Sequence, residues 1–192
     1  MVTGITEPAT IKYGTKPIKA GDDGKFSVSF PLESGINTLS LVAVDAAGNE
    51  TTWTKDVELV LQETIKISMW IGQPEAYVNG VRVYLQVPPT IKNGRTFVPV
   101  RFVSESLRSE VKWDGDTRSV TVIGPEHKCV VMIDSTTAFL DGQPLKLDAA
   151  PFIQNSTTLV PLRFIAQDTL NGEIGWDADE KRIDITVTYD IN

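Results

Sequence analysis

A chain of 192 residues with 41% hydrophobic and 22% charged side chains has ordinary globular composition, with room for one large domain or a few small ones. Its net charge of −7 and isoelectric point near 4.7 exclude a nucleic-acid backbone or an anionic membrane surface as the main partner, because both require a cationic face. A single cysteine, Cys129, permits no disulfide framework, and no run approaches the ~20 apolar residues of a membrane span, so no membrane insertion is expected. The opening Met1-Val2-Thr3-Gly4 lacks the basic and apolar regions of a signal peptide and reads as a strand entered partway. An excised piece of a longer protein, with neighbouring domains as its partners, is therefore expected.

Residues 1–62 read as short strands separated by turns. Lys25, Phe26, Val28 and Phe30 alternate in one stretch, Leu39, Leu41, Val42 and Val44 in a second, and Trp53, Val57 and Leu59 in a third. Asp23-Gly24 and Gly48-Asn49 supply tight turns. No helical period appears, and an antiparallel β-sandwich is the natural closure. Asp22, Asp23 and Asp45 have the oxygens a calcium ion takes; the favoured reading is that each caps its own turn.

Residues 63–192 repeat themselves. Val98-Pro99-Val100-Arg101-Phe102 returns as Val160-Pro161-Leu162-Arg163-Phe164, and Asn79-Gly80 returns as Asp141-Gly142. After the pentapeptide the second copy gains one residue, so that Trp113-Asp114 matches Trp176-Asp177. Boundaries at 63–125 and 126–192 follow, with Leu61 to Thr64 joining the first copy to the sandwich and Gly124-Pro125-Glu126 linking the copies. Each copy opens with alternating strands, through Ile65, Ile67, Met69 and Ile71 or through Val131 and Ile133, and turns at its Asn-Gly or Asp-Gly pair. At Pro99 and Pro161 the period changes to helical: Val100, Val103 and Leu107 form one stripe, and Leu162, Ile165, Ala166 and Leu170 the other. Two strands close each copy. The expected fold is mainly β with α+β character: a twisted antiparallel sheet of about five strands around one helix in each copy. Since some sixty residues bury only a modest core, the copies are expected to pack together.

Two resemblances follow from these residues. Gly21-Asp22-Asp23-Gly24-Lys25-Phe26-Ser27, Gly35-Ile36-Asn37 and Ala43-Val44-Asp45-Ala46-Ala47-Gly48-Asn49 resemble the immunoglobulin-like modules of bacterial secreted enzymes and surface proteins, here without the usual first strand. The run from Ile71-Gly72 through Ala76 to Gly80, Asn93 to Leu107 and Trp113-Asp114, matched in the second copy, resembles the copper amine oxidase N-terminal-like (stalk) domain over about residues 64–189. That resemblance implies a non-catalytic module, secreted or on the surface of a Gram-positive type bacterium, beside S-layer, hydrolase or immunoglobulin-like domains. The second copy departs from the family pattern at Asn155-Ser156-Thr157, where Thr157 stands opposite Arg95, and at Gln167-Asp168-Thr169.

Chemistry is scarce. A redox copper centre needs several imidazole or sulfur ligands, and the chain holds one histidine, His127, near its one cysteine. No catalytic residue, metal site or cofactor is expected. Asp114 and Asp116, like Asp177, Asp179 and Glu180, sit together in single turns and do not flank a substrate as glycosidase carboxylates do. Arg101 and Arg163 recur at the helix starts, so structural bridges are expected from Arg101 to Asp114 and from Arg163 to Asp177, with an anchoring role for carboxylates of wall polymer as the alternative. Trp113 and Trp176 are expected in the core, whereas Trp70, Tyr77 and Tyr84 are candidates for an aromatic platform that stacks sugar rings. Two functions remain: a non-catalytic extracellular module that spaces, orients or attaches a neighbouring domain, or a binder of cell-wall or extracellular polysaccharide.

Overall fold

The structure is a computed structural model that describes residues 2–5 and 9–191. In chain order the strands are β1 (Val2–Ile5), β2 (Ala9–Tyr13), β3 (Lys16–Ile18), β4 (Lys25–Val28), β5 (Gly35–Asp45), β6 (Glu50–Leu59), β7 (Leu61–Trp70), β8 (Glu75–Val78), β9 (Val81–Tyr84), β10 (Thr90–Lys92) and β11 (Arg95–Pro99). Helix α1 (Val100–Ser106) follows, then β12 (Glu110–Asp114), β13 (Ser119–Ile123), β14 (Lys128–Met132), β15 (Thr137–Leu140), β16 (Gln143–Lys146), β17 (Phe152–Gln154) and β18 (Thr157–Pro161). A π-helix at Phe164–Thr169 precedes β19 (Glu173–Asp177) and β20 (Arg182–Ile191). Mainly β architecture with a little helix is what the alternating patterns predict.

The chain divides into two compact units, residues 1–62 with 190–192, and residues 63–189. In the first, a four-stranded antiparallel sheet runs β3-β2-β5-β6, and β1 pairs with β4. Ile11, Leu39 and Leu41 are its buried side chains among the described residues. The β5–β6 turn closes as its sequence predicts. Gly48 takes a positive φ, and the Asp45 carboxylate accepts the N–H groups of Ala47 and Asn49, each at 2.9 Å. Asp23 likewise accepts the Lys25 N–H at 3.1 Å. Asp23 and Asp45 thus cap their own turns, and side-chain bonds from Lys25 and Asn49, with these backbone bonds, hold both carboxyls below the usual aspartate value.

The second unit contains two five-stranded sheets, β12-β13-β14-β15-β16 and β19-β20-β7-β8-β9, and a four-stranded sheet, β10-β11-β18-β17. The expected five strands per sheet are present, but their parentage differs from the expectation. Each five-stranded sheet takes two strands from the end of one copy and three from the start of the other. The cause lies at Gly124-Pro125-Glu126, read from sequence as a link between separate copies. Gly124 N–H donates to His127 O at 2.8 Å, and this tight turn makes β13 and β14 antiparallel neighbours. Strands joined by so short a turn pair with each other first, because closing the loop between them costs little. The other sheet closes in the corresponding way: the side-chain bonds Thr64 to Thr188 and Ser68 to Asp184 advance in opposite senses along β7 and β20, which are therefore antiparallel.

A local twofold axis relates the copies. In the β11–β18 ladder Val98 faces Val160, its own counterpart, with Phe97–Pro161 and Pro99–Leu159 on either side. Both five-stranded sheets turn their apolar faces to one shared core, where Ile67, Met69 and Ile185 of one meet Val122, Cys129 and Val131 of the other around Val103 and Ile165. The two copies are one folded body.

The copies differ at the helix. α1 has ordinary helical turns, whereas its counterpart is wound as a π-helix with Thr169 Oγ1 donating to Phe164 O at 3.1 Å. The wider turn absorbs the extra residue of the second copy. Leu170 is consequently buried where Leu107 is in the first.

Candidate functional site

The hairpins that shape the surface of the second unit have the conformation their residues predict. Asn79-Gly80, Asn93-Gly94 and Asp141-Gly142 all have two positive φ angles between directly paired strand ends, the type I′ geometry. Asn155-Ser156 adopts the same geometry without a glycine.

Trp70, Tyr77 and Tyr84 share the outward face of the β20-β7-β8-β9 sheet, by alternation from the registers Ser68–Tyr77 and Tyr77–Arg82. Their rings make no flat platform. Trp70 and Tyr77 meet edge to face, with centroids 5.8 Å apart and planes at 74°. Tyr84 is 68% exposed, and the Arg82 guanidinium lies 5.7 Å from its ring centre. The polar groups beside Trp70 and Tyr77 already have partners: Ser68 donates to Asp184 at 2.6 Å, Arg182 Nε to Asp184 at 2.9 Å, and Tyr77 to Glu75 at 2.6 Å.

The expected Arg-to-Asp bridges do not form. Arg101 donates to Glu105 at 2.9 Å, one helical turn on, and to Val111 O at 3.3 Å. The Asp114 carboxylate is taken by the N–H groups of Asp116 and Thr117, and with the Thr117 hydroxyl these bonds lower its pKa. Asp177 caps Asp179 and Glu180 in the same way and pairs with Arg182 at 3.5 Å, while Arg163 makes no ion pair among the described residues. The physical reason is local: a carboxylate at a turn finds backbone N–H groups two and three residues ahead before any distant guanidinium.

The tryptophans expected in the core are on the surface, Trp113 at 44% and Trp176 at 49% exposure. Trp113 shares a face with buried Val111. It lies two residues farther along β12, an edge strand on which only Val111 is buried. Alternation predicts the face of a strand and says nothing of how far the core extends along it.

Two clefts flank the twofold axis, and the duplication maps one onto the other. The first, about 350 Å³, is lined by Gly94, Arg95, Asp148, Leu162, Arg163 and Ile174, among others. The second, about 520 Å³, has at the matching positions Ser156, Thr157, Gln86, Val100, Arg101 and Val111, and adds Trp113 and Ile153. Both clefts draw on both copies, which the expectation of separate units concealed. Arg95 Nε forms an ion pair with Asp148 at 2.7 Å in the first, and neutral Thr157 and Gln86 replace that ion pair in the second.

Copper, suggested by the resemblance, does not suit the donors present. No three His, Cys, Asp or Glu side chains converge among the described residues. His127 Nδ1 is 2.7 Å from Asp141, and burial pushes the Cys129 thiol up to about 11, which disfavours the thiolate a metal would bind. No described helix is long and apolar enough to cross a membrane.

The sequence matches the family described as the copper amine oxidase N-terminal domain twice, over residues 40–122 and 105–185. No curated protein and no solved structure matches the chain. The overlapping matches cover well over half of the residues, and the chain belongs to the copper amine oxidase N-terminal domain family, a non-catalytic, stalk-like domain.

Proposed function

We propose that this chain is a non-catalytic extracellular module that orients and attaches a neighbouring domain at the bacterial cell surface, with residues 1–62 acting as an immunoglobulin-like module beside the duplicated unit. The observation that carries this reading is the pairing of β7 with β20. The duplicated unit begins on one strand and ends on its neighbour, with the Thr64 and Thr188 hydroxyls 3.1 Å apart. A body that begins and ends on neighbouring strands holds its two chain connections close together. Connections held this close suit holding and presenting a neighbour better than spacing it in line. The interlocked copies add rigidity, because neither five-stranded sheet can open without parting strands of both.

The test is made on cells. Gln62 donates to Asp190 at 3.0 Å, so residues 63–189 can be excised and Gln62 joined to Asp190 through a short turn. In a bacterium carrying the longer parent protein, intact-cell proteolysis is expected to cleave this chain, and excision is expected to release the neighbouring domain into the medium. Full retention of that domain after excision refutes the attachment role. Copper-dependent amine turnover by the purified chain refutes the non-catalytic one.

A further inference from the structure

We propose that the Trp113 cleft binds a neutral polysaccharide, one pyranose ring seated against the Trp113 indole. The duplication provides an internal comparison. The cleft on the other side of the twofold axis has the same construction, but there Arg95 and Asp148 are joined at 2.7 Å, an ion pair that occupies its polar wall. At the matching positions the Trp113 cleft has Thr157 and Gln86, and its volume is about 520 Å³ against about 350 Å³. The departure of Asn155-Ser156-Thr157 from the family pattern is therefore a change in the lining of a cleft.

What remains there is the chemistry of sugar recognition. Trp113 and Ile153 supply exposed apolar surface, 44% and 43% accessible, for the C–H face of a pyranose. Gln86, Ser156, Thr157 and Thr158 are neutral groups that both donate and accept, which matches the paired capacities of sugar hydroxyls. Arg101, the one charged lining group, is already neutralised by Glu105 at 2.9 Å, so the cleft has no free charge that would favour an acidic polymer. An apolar wall with a few convergent polar groups is the usual composition of a small-ligand site. The face of Trp70, Tyr77 and Tyr84 lacks this combination, since its rings are crossed and its polar groups paired.

The inference stands apart from the attachment role, because it is measured with soluble sugars on the purified chain while attachment is measured on cells. Cellohexaose and chitohexaose are titrated into residues 1–192 and followed by calorimetry and tryptophan fluorescence. One of them is expected to bind. Trp113→Ala is expected to weaken that binding roughly tenfold or more, as truncating an aromatic anchor does. The double variant Thr157→Arg with Gln86→Asp, which keeps Trp113 and installs the ion pair of the other cleft, is expected to weaken binding as strongly, and Trp176→Ala is expected to leave it unchanged. Circular dichroism of each variant checks that it is folded. Failure of both hexasaccharides to bind overturns the proposal. So does wild-type affinity in the folded double variant, or loss of binding through Trp70→Ala with Trp113→Ala unaffected.

Discussion

Gly172 is where the inserted residue of the second copy exacts a steric requirement, and substituting it tests the account of the π-helix. Its N–H donates to Ala166 O at 2.7 Å, as the N–H of its counterpart Ser109 donates to Ser104 O at 2.9 Å. The first copy accommodates a side chain there and the second has no space for one. A Cβ on Gly172 would lie 2.9 Å from Ala166 O, 2.9 Å from Val187 Cγ2 and 3.3 Å from Thr186 O. Its φ is not positive, so space alone selects glycine. Gly172→Ala must move both a carbonyl that accepts the residue's own N–H, a bond with a net worth of about 1 kcal/mol, and a valine held in a strand and stiff at χ1. Overpacking of this kind costs roughly 1–3 kcal/mol, so the expected total is about 2–4 kcal/mol. For a unit of this size that corresponds to a fall in melting temperature of roughly 4–16 °C. Ser109→Ala is the control: it keeps the existing Cβ and loses only a long Oγ contact to Leu107 O at 3.4 Å. Deleting Asp168 from the Gly172→Ala chain should recover most of the loss, because it restores the turn of the first copy and removes a carboxyl whose pKa desolvation raises. Thermal and urea unfolding measure all four chains. Melting of Gly172→Ala within about 1 °C of the parent, or no recovery on deletion, refutes the reasoning.

Two further outcomes are expected. Ser104 Oγ is buried without a hydrogen-bond partner among the described residues, and Ala166 fills the matching position of the second copy; Ser104→Ala should therefore stabilise the chain by about 1 kcal/mol in urea unfolding, since an unmet buried hydroxyl costs roughly 1–3 kcal/mol, and a loss of stability would contradict this. The carboxyls of Asp23, Asp45, Asp114 and Asp141 are all held below the usual aspartate value, chiefly by bonds to Lys25, Asn49, Thr117 and Lys128 respectively. A group with a lowered folded pKa contributes its stability above its unfolded value and loses it as pH falls through the folded one. Melting temperature should accordingly fall as pH drops below the ordinary aspartate value of 3.8, and Asp45→Asn should flatten that fall measurably; an unchanged profile would show that the Asp45 cap contributes nothing.

Much of the local structure is legible in the residues themselves. Asn79-Gly80 and Asp141-Gly142 specify type I′ turns because glycine, asparagine and aspartate tolerate positive φ, and the stripes of Val100, Val103 and Leu107 and of Ile165, Ala166 and Leu170 specify helical segments by their period. The candidate site was less legible. Trp113 reads as core because alternation puts it in phase with Val111, and how far burial extends along the edge strand β12 is a property of the tertiary packing. Arg101 and Asp114 look like partners because both recur, although each finds a nearer bond within its own helix or turn.

Duplication, turn chemistry and hydrophobic period are local quantities, and the amino-acid order alone determined them: a mainly β chain of two similar copies with a helix in each. Which copy supplies the partner of each closing hairpin was decided only in three dimensions, because duplicated strands present nearly the same edge to either neighbour and their alternation suits both pairings. The tight turn at Gly124 to His127 favours β14 as the neighbour of β13, and β7 pairs with β20 in the corresponding sheet. From that exchange come the shared core and the two clefts, whose walls no single copy contains.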